Sequence, residues 1–198
     1  MEILLASHNQ HKIVEIREIL KGLPIQLRSM DDFPDIAEVE ETGSTFEENA
    51  LLKAREVHRQ SGLLTLSDDS GLEVDALNGA PGVYSARYAG EAKITAANNE
   101  KLLWELAQVP PEKRGAQFRC VVAIVADGWE TTVEGIVRGN IIAEFRGDGG
   151  FGYDPLFVPE DYSETFAELG AAVKNRISHR AKAFLAAKEV LVERFNLR

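Results

Sequence analysis

Cysteine, positive charge and long apolar runs are the features that this 198-residue sequence has least of. The single cysteine, Cys120, excludes an intrachain disulfide, so nothing favours an oxidising compartment. Because 22 Lys and Arg stand against 32 Asp and Glu, the net charge is −10, which argues against a protein that coats DNA or RNA. One small polyanionic ligand is still permitted, since it needs only a few local cations or a metal.

The N-terminus and the lengths of the apolar runs bear on where the protein is located. The N-terminus lacks a basic leader, and no apolar run approaches the roughly 18–20 residues of a membrane span. We therefore expect a cytoplasmic protein with no membrane partner and no nucleic-acid partner. At roughly 150 residues per domain, the length predicts a single domain over residues 1–198 or two closely packed lobes.

Hydrophobic periodicity predicts an α/β class with a mixed sheet. Buried strands are predicted at residues 3–6, 25–28 and 63–66, and a hairpin at 118–126 and 129–137, where Asp127-Gly128 supplies the turn. Four helices are predicted. The first has an apolar stripe at Ile13, Ile16, Ile19 and Leu20. The second runs from near Thr45 to Gly62, with a Thr45/Glu48 capping box and an inward stripe at Phe46, Ala50, Ala54 and Val57. The third is capped by Thr95 and reaches about Leu106, and the fourth runs from His179 to Phe195, is capped by Ser178 and turns Ala181, Phe184, Leu185, Leu191, Val192 and Phe195 inward.

A polar turn between the first strand and the first helix is the first candidate site. Free N–H groups and the helix dipole make such a turn a natural cradle for a phosphate, and Lys12 adds a point charge. An ordinary connecting loop is the alternative, because no glycine-rich phosphate motif is present. The turn consists of Ser7, His8, Asn9, Gln10, His11 and Lys12.

Two adjacent aspartates, Asp68 and Asp69, follow the strand predicted at 63–66, with Glu40-Glu41 upstream. Placing like charges side by side near a strand end is unfavourable, and a divalent cation would remove that repulsion. Hard oxygen ligands suit Mg²⁺, which is usually shared with substrate phosphates. A solvated acidic turn is the alternative interpretation.

The remaining candidates lie in the C-terminal third. The glycine-rich segment 149–155 would let backbone approach a ligand closely, and Phe151 could stack on a planar base. Lys174, His179 and Arg180 bring cations and donors to the start of the last helix, where Arg180 opposes the dipole preference. The alternative for segment 149–155 is a tight turn with core aromatics. The alternative for the residues at the start of the last helix is that they are ordinary surface residues.

Six segments together resemble the inosine triphosphatase and dITP/XTP pyrophosphatase family, the Ham1-like proteins, over essentially the whole chain. They are Ser7-His8-Asn9-Gln10-His11-Lys12, residues 45–54 (TFEENALLKA), Ser67-Asp68-Asp69-Ser70-Gly71-Leu72, residues 79–88 (GAPGVYSARY), residues 149–155 (GGFGYDP) and Ser178-His179-Arg180-Ala181-Lys182-Ala183. The first segment departs slightly: the family commonly has Thr where Ser7 stands and Gly where His11 stands.

The resemblance implies an elongated, two-lobed α/β homodimer with its active site in the cleft. It implies Mg²⁺-dependent hydrolysis of ITP, dITP and XTP to the monophosphate and pyrophosphate, clearing deaminated purines from the nucleotide pool. By position, residues 7–12 and Lys53 would hold the triphosphate; Glu41 and Asp69 would bind metal, with Asp69 the proton acceptor and Asp68 its support. Nucleotide contacts would come from Ser70, Phe151, Gly152, Tyr153, Asp154, Lys174, His179 and Arg180.

Two other functions compete with this one. A Maf-like nucleotide pyrophosphatase shares the reaction but prefers other bases, and the His179-Arg180 pair argues against it. A nucleotide sensor without turnover would have no need of the carboxylates, so Asp68, Asp69 and Lys12 together argue against that class. Release of pyrophosphate rather than phosphate from ITP would separate the alternatives.

Overall fold

The computed structural model describes residues 1–197. Its six strands form one mixed sheet in the order β2-β1-β3-β4-β5-β6, with β1 parallel to β2 and β3, and β6 antiparallel to β5. The α/β class and the mixed sheet predicted from the sequence are confirmed. The strands are β1 (Glu2–Leu5), β2 (Gln26–Ser29), β3 (Leu64–Val74), β4 (Gly115–Ala126), β5 (Trp129–Ile141) and β6 (Phe157–Pro159). The helices are α1 (Gln10–Leu20), α2 (Phe46–Ser61), α3 (Thr95–Glu105), α4 (Phe166–Ile177) and α5 (His179–Phe195).

The chain divides into two compact units. Unit 1 comprises Met1–Asp69, Cys120–Gly135 and Arg180–Arg198, and unit 2 comprises Ser70–Arg119 and Ile136–His179. Each unit has its own apolar core, so each can be described by the elements that build it.

Unit 1 has apolar cores on both faces of its sheet, because successive side chains of β1 point to opposite faces. Ile3 and Leu5 point into a core formed with α1 and α5, whereas Leu4 points to the opposite face, where Val57 of α2 covers it. Successive side chains of a strand face opposite sides, so this sheet is covered by helices on both faces. The apolar stripes predicted for α1 and α2 are buried as expected.

Unit 2 has an aromatic core. Phe118 of β4, Phe157 of β6 and Phe166 of α4 pack together, with ring centroids 4.8 to 6.1 Å apart. Tyr153 and Leu102 of α3 join the same cluster. The glycine-rich segment 149–155 therefore contributes Tyr153 to this core, and Phe157 of β6 follows it.

Four details of the predicted elements are wrong. The strand predicted at 63–66 continues to Val74, because Asp68 within the extension is paired with Lys12 and Arg180. Thr95 is the first helical residue and Ile94 the cap, without a side-chain capping bond. Leu185 is 44% exposed, because it falls outside the buried arc of α5. The C-terminal third contains β6 and α4, which the pattern did not predict.

No helix among residues 1–197 is long and apolar enough to cross a membrane.

Candidate active site

The two adjacent aspartates lie within β3, and the alternation of the strand sends them to opposite faces. Leu64 and Leu66 belong to the core with α1 and α5, and Asp68 continues that face. Asp69, one residue on, turns to the α2 face. The prediction that the pair lies together beyond a strand end is therefore wrong, since the strand separates the two carboxylates and gives each its own partners.

Asp68 is buried between two cations. Its Oδ2 lies 2.9 Å from Nζ of Lys12 on α1 and 3.4 Å from Nε of Arg180 on α5, and the Cys120 thiol lies 3.9 Å away. Burial would raise the pKa of Asp68, but the charges of Lys12 and Arg180 outweigh it and hold the pKa well below its usual range. Asp68 is therefore a fixed anion.

Arg180 is almost completely buried, with 1% of its surface exposed. Its Nη1 donates to Oε2 of Glu15 at 2.8 Å while its Nε faces Asp68, so two carboxylates compensate one guanidinium. Burial opposes the charged form, but Asp68 and Glu15 raise the pKa of Arg180. Glu15 was not predicted as a site residue; it lies one turn after Lys12 on α1, a spacing that places both on one helix face.

The α2 face of β3 carries a second cluster. Asn49 donates from Nδ2 to Oδ2 of Asp69 at 3.0 Å, and Nζ of Lys53 donates to Oε1 of Glu41 at 2.6 Å and to the Asp68 carbonyl at 2.8 Å. Burial and the charge of Glu41 raise the pKa of Asp69, although Lys53 opposes the shift. Of the two upstream glutamates, Glu41 reaches this cluster.

The Asp69 and Glu41 pair has the donor chemistry of a magnesium site. The charge of Glu41 raises the pKa of Asp69, so the two carboxylates would gain from a shared cation. Mg²⁺ typically takes one or two carboxylates and completes its shell with water and phosphate. Within residues 1–197, no group of three or more His, Cys, Asp and Glu converges as a full protein-only site would require. The residues present fit a metal shared with a ligand.

The predicted phosphate-binding turn, residues 7–12, is ordered by hydrogen bonds within the turn and to Asp31. Asn9 caps α1 by accepting from the Lys12 amide at 3.2 Å, while the side chains of His8 and Gln10 contact the Asp31 carboxylate at 2.8 and 2.6 Å. The hydrogen bond from His8 lowers the pKa of Asp31. Asp31 was not predicted, because it lies in a 3₁₀ turn distant in sequence. Ser7 accepts from the Asn9 amide, and His11 lies exposed in the first helical turn.

Unit 2 places Phe151 in a loop closed by a buried ion pair. Oδ2 of Asp154 accepts from the Phe151 amide at 2.8 Å and from Nζ of Lys174 at 2.6 Å, and Nζ of Lys174 lies 4.3 Å from the centroid of the Phe151 ring. A Cβ atom at Gly150 would lie 2.1 Å from the Asp154 carboxylate. Glycine is therefore required at 150 for this closure to form.

The other predicted nucleotide contacts of unit 2 lie on the same scaffold. His179 is buried and stacks on Phe118, with ring centroids 4.7 Å apart and planes at 12°. Tyr153 is buried and its hydroxyl donates to the Ser85 carbonyl at 2.8 Å, which makes it part of the framework of the loop. Ser70 is partly buried in β3, and Gly152 occupies the left-handed region at φ +64°.

The fold is that of an α/β protein, in which the carboxylates and lysines of unit 1 suit a phosphorylated ligand and the loop of unit 2 presents an aromatic ring. The chain belongs to the Ham1 family, whose sequence model matches residues 3–190. The dITP/XTP pyrophosphatases of Desulforamulus reducens and Geobacter sulfurreducens are 53% and 52% identical to it, each over 96% of both chains. The Staphylococcus aureus Ham1 protein superposes with a TM-score of 0.89 at 42% identity, over 98% of this chain and 100% of that one.

Proposed function

We propose that this protein hydrolyses deaminated purine nucleoside triphosphates, namely dITP, XTP and ITP, to the monophosphate and pyrophosphate with Mg²⁺. The observation that carries the proposal is the cluster of Asp69, Glu41, Lys53 and Asn49 on one face of β3, in a chain whose relatives are named dITP/XTP pyrophosphatases. We further propose that it acts in the cytoplasm as a homodimer.

The unit 1 residues would act on the triphosphate. Lys12 and Lys53 each carry a charge to the β3 region and would neutralise phosphate oxygens, together with the start of α1. Asp68 would hold Lys12 in place, because its carboxylate lies 2.9 Å from Nζ of Lys12 and stays charged beside Arg180. Hydrolysis of a phosphoanhydride depends mainly on such positioning and charge neutralisation.

Glu41 and Asp69 would hold the metal. When bound, Mg²⁺ supplies charge neutralisation at the phosphates and lowers the pKa of water. Asp69 would orient the attacking water and accept its proton, because its carboxylate lies beside Lys53 and Asn49 at the position where the metal and the phosphates would meet. Water attacks the α-phosphorus, the bond to the bridging oxygen breaks, and pyrophosphate leaves with the negative charge.

The unit 2 residues would select the base. Phe151 would stack on any purine and contribute affinity without selectivity. Hypoxanthine and xanthine carry a 6-keto acceptor where adenine has an amino donor, so a buried donor aimed at that position would reject adenine. His179 is the better candidate for this donor, because the guanidinium of Arg180 is already engaged by Asp68 and Glu15. Guanine shares the 6-keto group, so its rejection needs a second determinant, which we place in the backbone of residues 151–154.

The test is product analysis on dITP, XTP, ITP, ATP, GTP and TTP with Mg²⁺. We expect equimolar monophosphate and pyrophosphate from the first three, little turnover of the others, loss of activity in EDTA and recovery on adding Mg²⁺. Orthophosphate with the diphosphate would overturn the proposed bond cleavage, and a preference for TTP would favour a Maf-like enzyme. Binding without any turnover would indicate a sensor.

A further inference from the structure

Asn99 of α3 reaches the loop that presents Phe151. Its Nδ2 donates to the Gly152 carbonyl at 2.9 Å, across 53 residues of sequence, and also to the carbonyl of Thr95 in its own helix at 3.0 Å. The side chain is buried, with 2% of the residue exposed. A polar link of this kind, shielded from water, holds its acceptor in one place.

The backbone around Phe151 is thus fixed on both sides. The Phe151 amide is bound by the Asp154 carboxylate at 2.8 Å, and the carbonyl of the next residue, Gly152, is bound by Asn99. Both neighbours of Phe151 are glycines in the left-handed region, Gly150 at φ +71° and Gly152 at φ +64°, and neither has a side chain that could anchor the loop. These two hydrogen bonds therefore help to set the direction of the Phe151 ring, together with the contact that Lys174 makes with the ring itself.

Asn99 also has a feature that a purely structural residue would be expected to avoid. In the described part of the chain its Oδ1 atom is buried and accepts no hydrogen bond. A leucine of similar size would bury the same volume without that unsatisfied acceptor, which is unfavourable in a buried position. The amide is useful here for the donor that it directs at Gly152.

We infer that Asn99 is a positioning residue for base binding: it holds the Gly152 carbonyl so that Phe151 presents its ring to the purine. This role rests on the proposed function for its consequence in catalysis, but the restraint of the loop can be measured without any substrate. It also gives α3 a place in the site, although no residue of that helix was predicted to belong to it.

Asn98 provides a matched control on the same helix. It is also buried, and its amide accepts from the Ala89 amide at 2.7 Å and donates to the Ala86 carbonyl at 2.9 Å. Removing Asn98 therefore deletes a buried amide and two hydrogen bonds without touching Gly152. Asn98→Ala and Asn99→Ala are expected to lose similar stability.

Hydrogen exchange on the ligand-free protein tests the restraint itself. We expect Asn99→Ala to speed exchange of the Phe151 amide by about tenfold or more, while Asn98→Ala leaves it within about twofold and instead speeds exchange at Ala89. Asn99→Leu serves as a second variant should the alanine variant not fold. Equal exchange at Phe151 in the Asn98 and Asn99 variants would overturn the inference, whatever the protein hydrolyses.

A double-mutant cycle with ITP tests the consequence. We expect Asn99→Ala to raise KM about tenfold with kcat within about twofold, and Phe151→Ala to add less than about twofold to that increase, because both changes remove the same stacking contact. In the Asn98→Ala background, Phe151→Ala should keep its full effect on KM. Additive effects in the Asn99 background would show that Asn99 does not act through Phe151. Failure of wild type to hydrolyse ITP would refute the proposed function and leave the exchange result standing.

Discussion

The two clusters of functional side chains balance their charges in different ways. In unit 1, four carboxylates and three cations meet across β3, and each face of the strand has its own set: Asp68, Glu15, Lys12 and Arg180 on one side, Asp69, Glu41 and Lys53 on the other. In unit 2, one buried ion pair, Asp154 with Lys174, supports an aromatic ring and a backbone loop. Changes of charge should therefore act most strongly in unit 1, and changes of shape in unit 2.

The difference follows from the ligand chemistry proposed for each cluster. Phosphates and a metal carry charges that must be matched. Unit 1 therefore holds its lysines beside carboxylates, and the phosphates of a ligand can take over part of that pairing. A purine base is planar and neutral, so unit 2 supplies a flat surface and fixed hydrogen-bonding groups.

The largest effect is expected for Asp69→Asn. The change keeps the shape but removes the proton acceptor and one proposed metal ligand, so kcat should fall by about 10²–10⁴. Asp75→Asn is the control, because Asp75 pairs with Arg138 at the surface of unit 2, and its kcat should stay near that of wild type. Near-normal turnover of Asp69→Asn at saturating Mg²⁺ would remove Asp69 from the mechanism.

Arg180→Ala is expected to be the most destabilising single change. It leaves the charges of Asp68 and Glu15 without their shared guanidinium, and breaking a buried ion pair this way typically lowers the free energy of unfolding by about 3–5 kcal/mol. Arg138→Ala removes a pair in which both side chains are substantially exposed, so its loss should not exceed about 1 kcal/mol. Urea unfolding of the two variants measures the difference, and equal losses would contradict the proposed importance of burial.

Phe151→Ala should weaken binding of every purine triphosphate alike. Stacking of a base on an aromatic ring contributes about 1–3 kcal/mol, so KM should rise about tenfold or more while the ratio of kcat/KM for ITP and ATP stays constant. The control is Phe145→Ala, since Phe145 precedes the loop and is 52% exposed. A changed ITP preference in Phe151→Ala would mean that this ring selects the base as well as binding it.

Local sequence patterns predicted the elements whose stability is local. The α1 and α2 stripes, the Thr45/Glu48 capping box and the Asp127-Gly128 hairpin turn all appear in the structure. Residues 67–71 have the composition of a turn, since Ser, Asp and Gly favour turns, yet they continue β3. Lysines and an arginine from three helices stabilise those carboxylates within a strand, and no window of sequence contains that information.

The supporting residues escaped prediction for the same reason. Glu15, Asp31 and Asn99 act through partners that are 21 to 165 residues away in sequence, so neither their type nor their spacing marks them. Helix α4 differs, because Thr165 and Glu168 have the same capping-box spacing that located α2. The start of α4 is therefore encoded locally in the sequence, unlike the long-range contacts of Glu15, Asp31 and Asn99.

The two capping boxes allow one last comparison between the units. Thr45 and Thr165 both accept from the amide three residues later, through Oγ1, at 3.1 and 3.2 Å. Thr45 is exposed, so Thr45→Ala should lower the free energy of unfolding by about 1 kcal/mol, the usual value for loss of a helix N-cap. Thr165 is completely buried, and its hydroxyl also donates to the Arg146 carbonyl at 2.8 Å. Thr165→Ala leaves both the Glu168 amide and that carbonyl without this partner, and the loss should reach about 2 kcal/mol. Thr165→Ser keeps both hydrogen bonds and should recover most of the difference in urea unfolding. Equal losses for Thr45→Ala and Thr165→Ala would mean that water replaces the missing hydroxyl at position 165 as readily as it does at the exposed position 45.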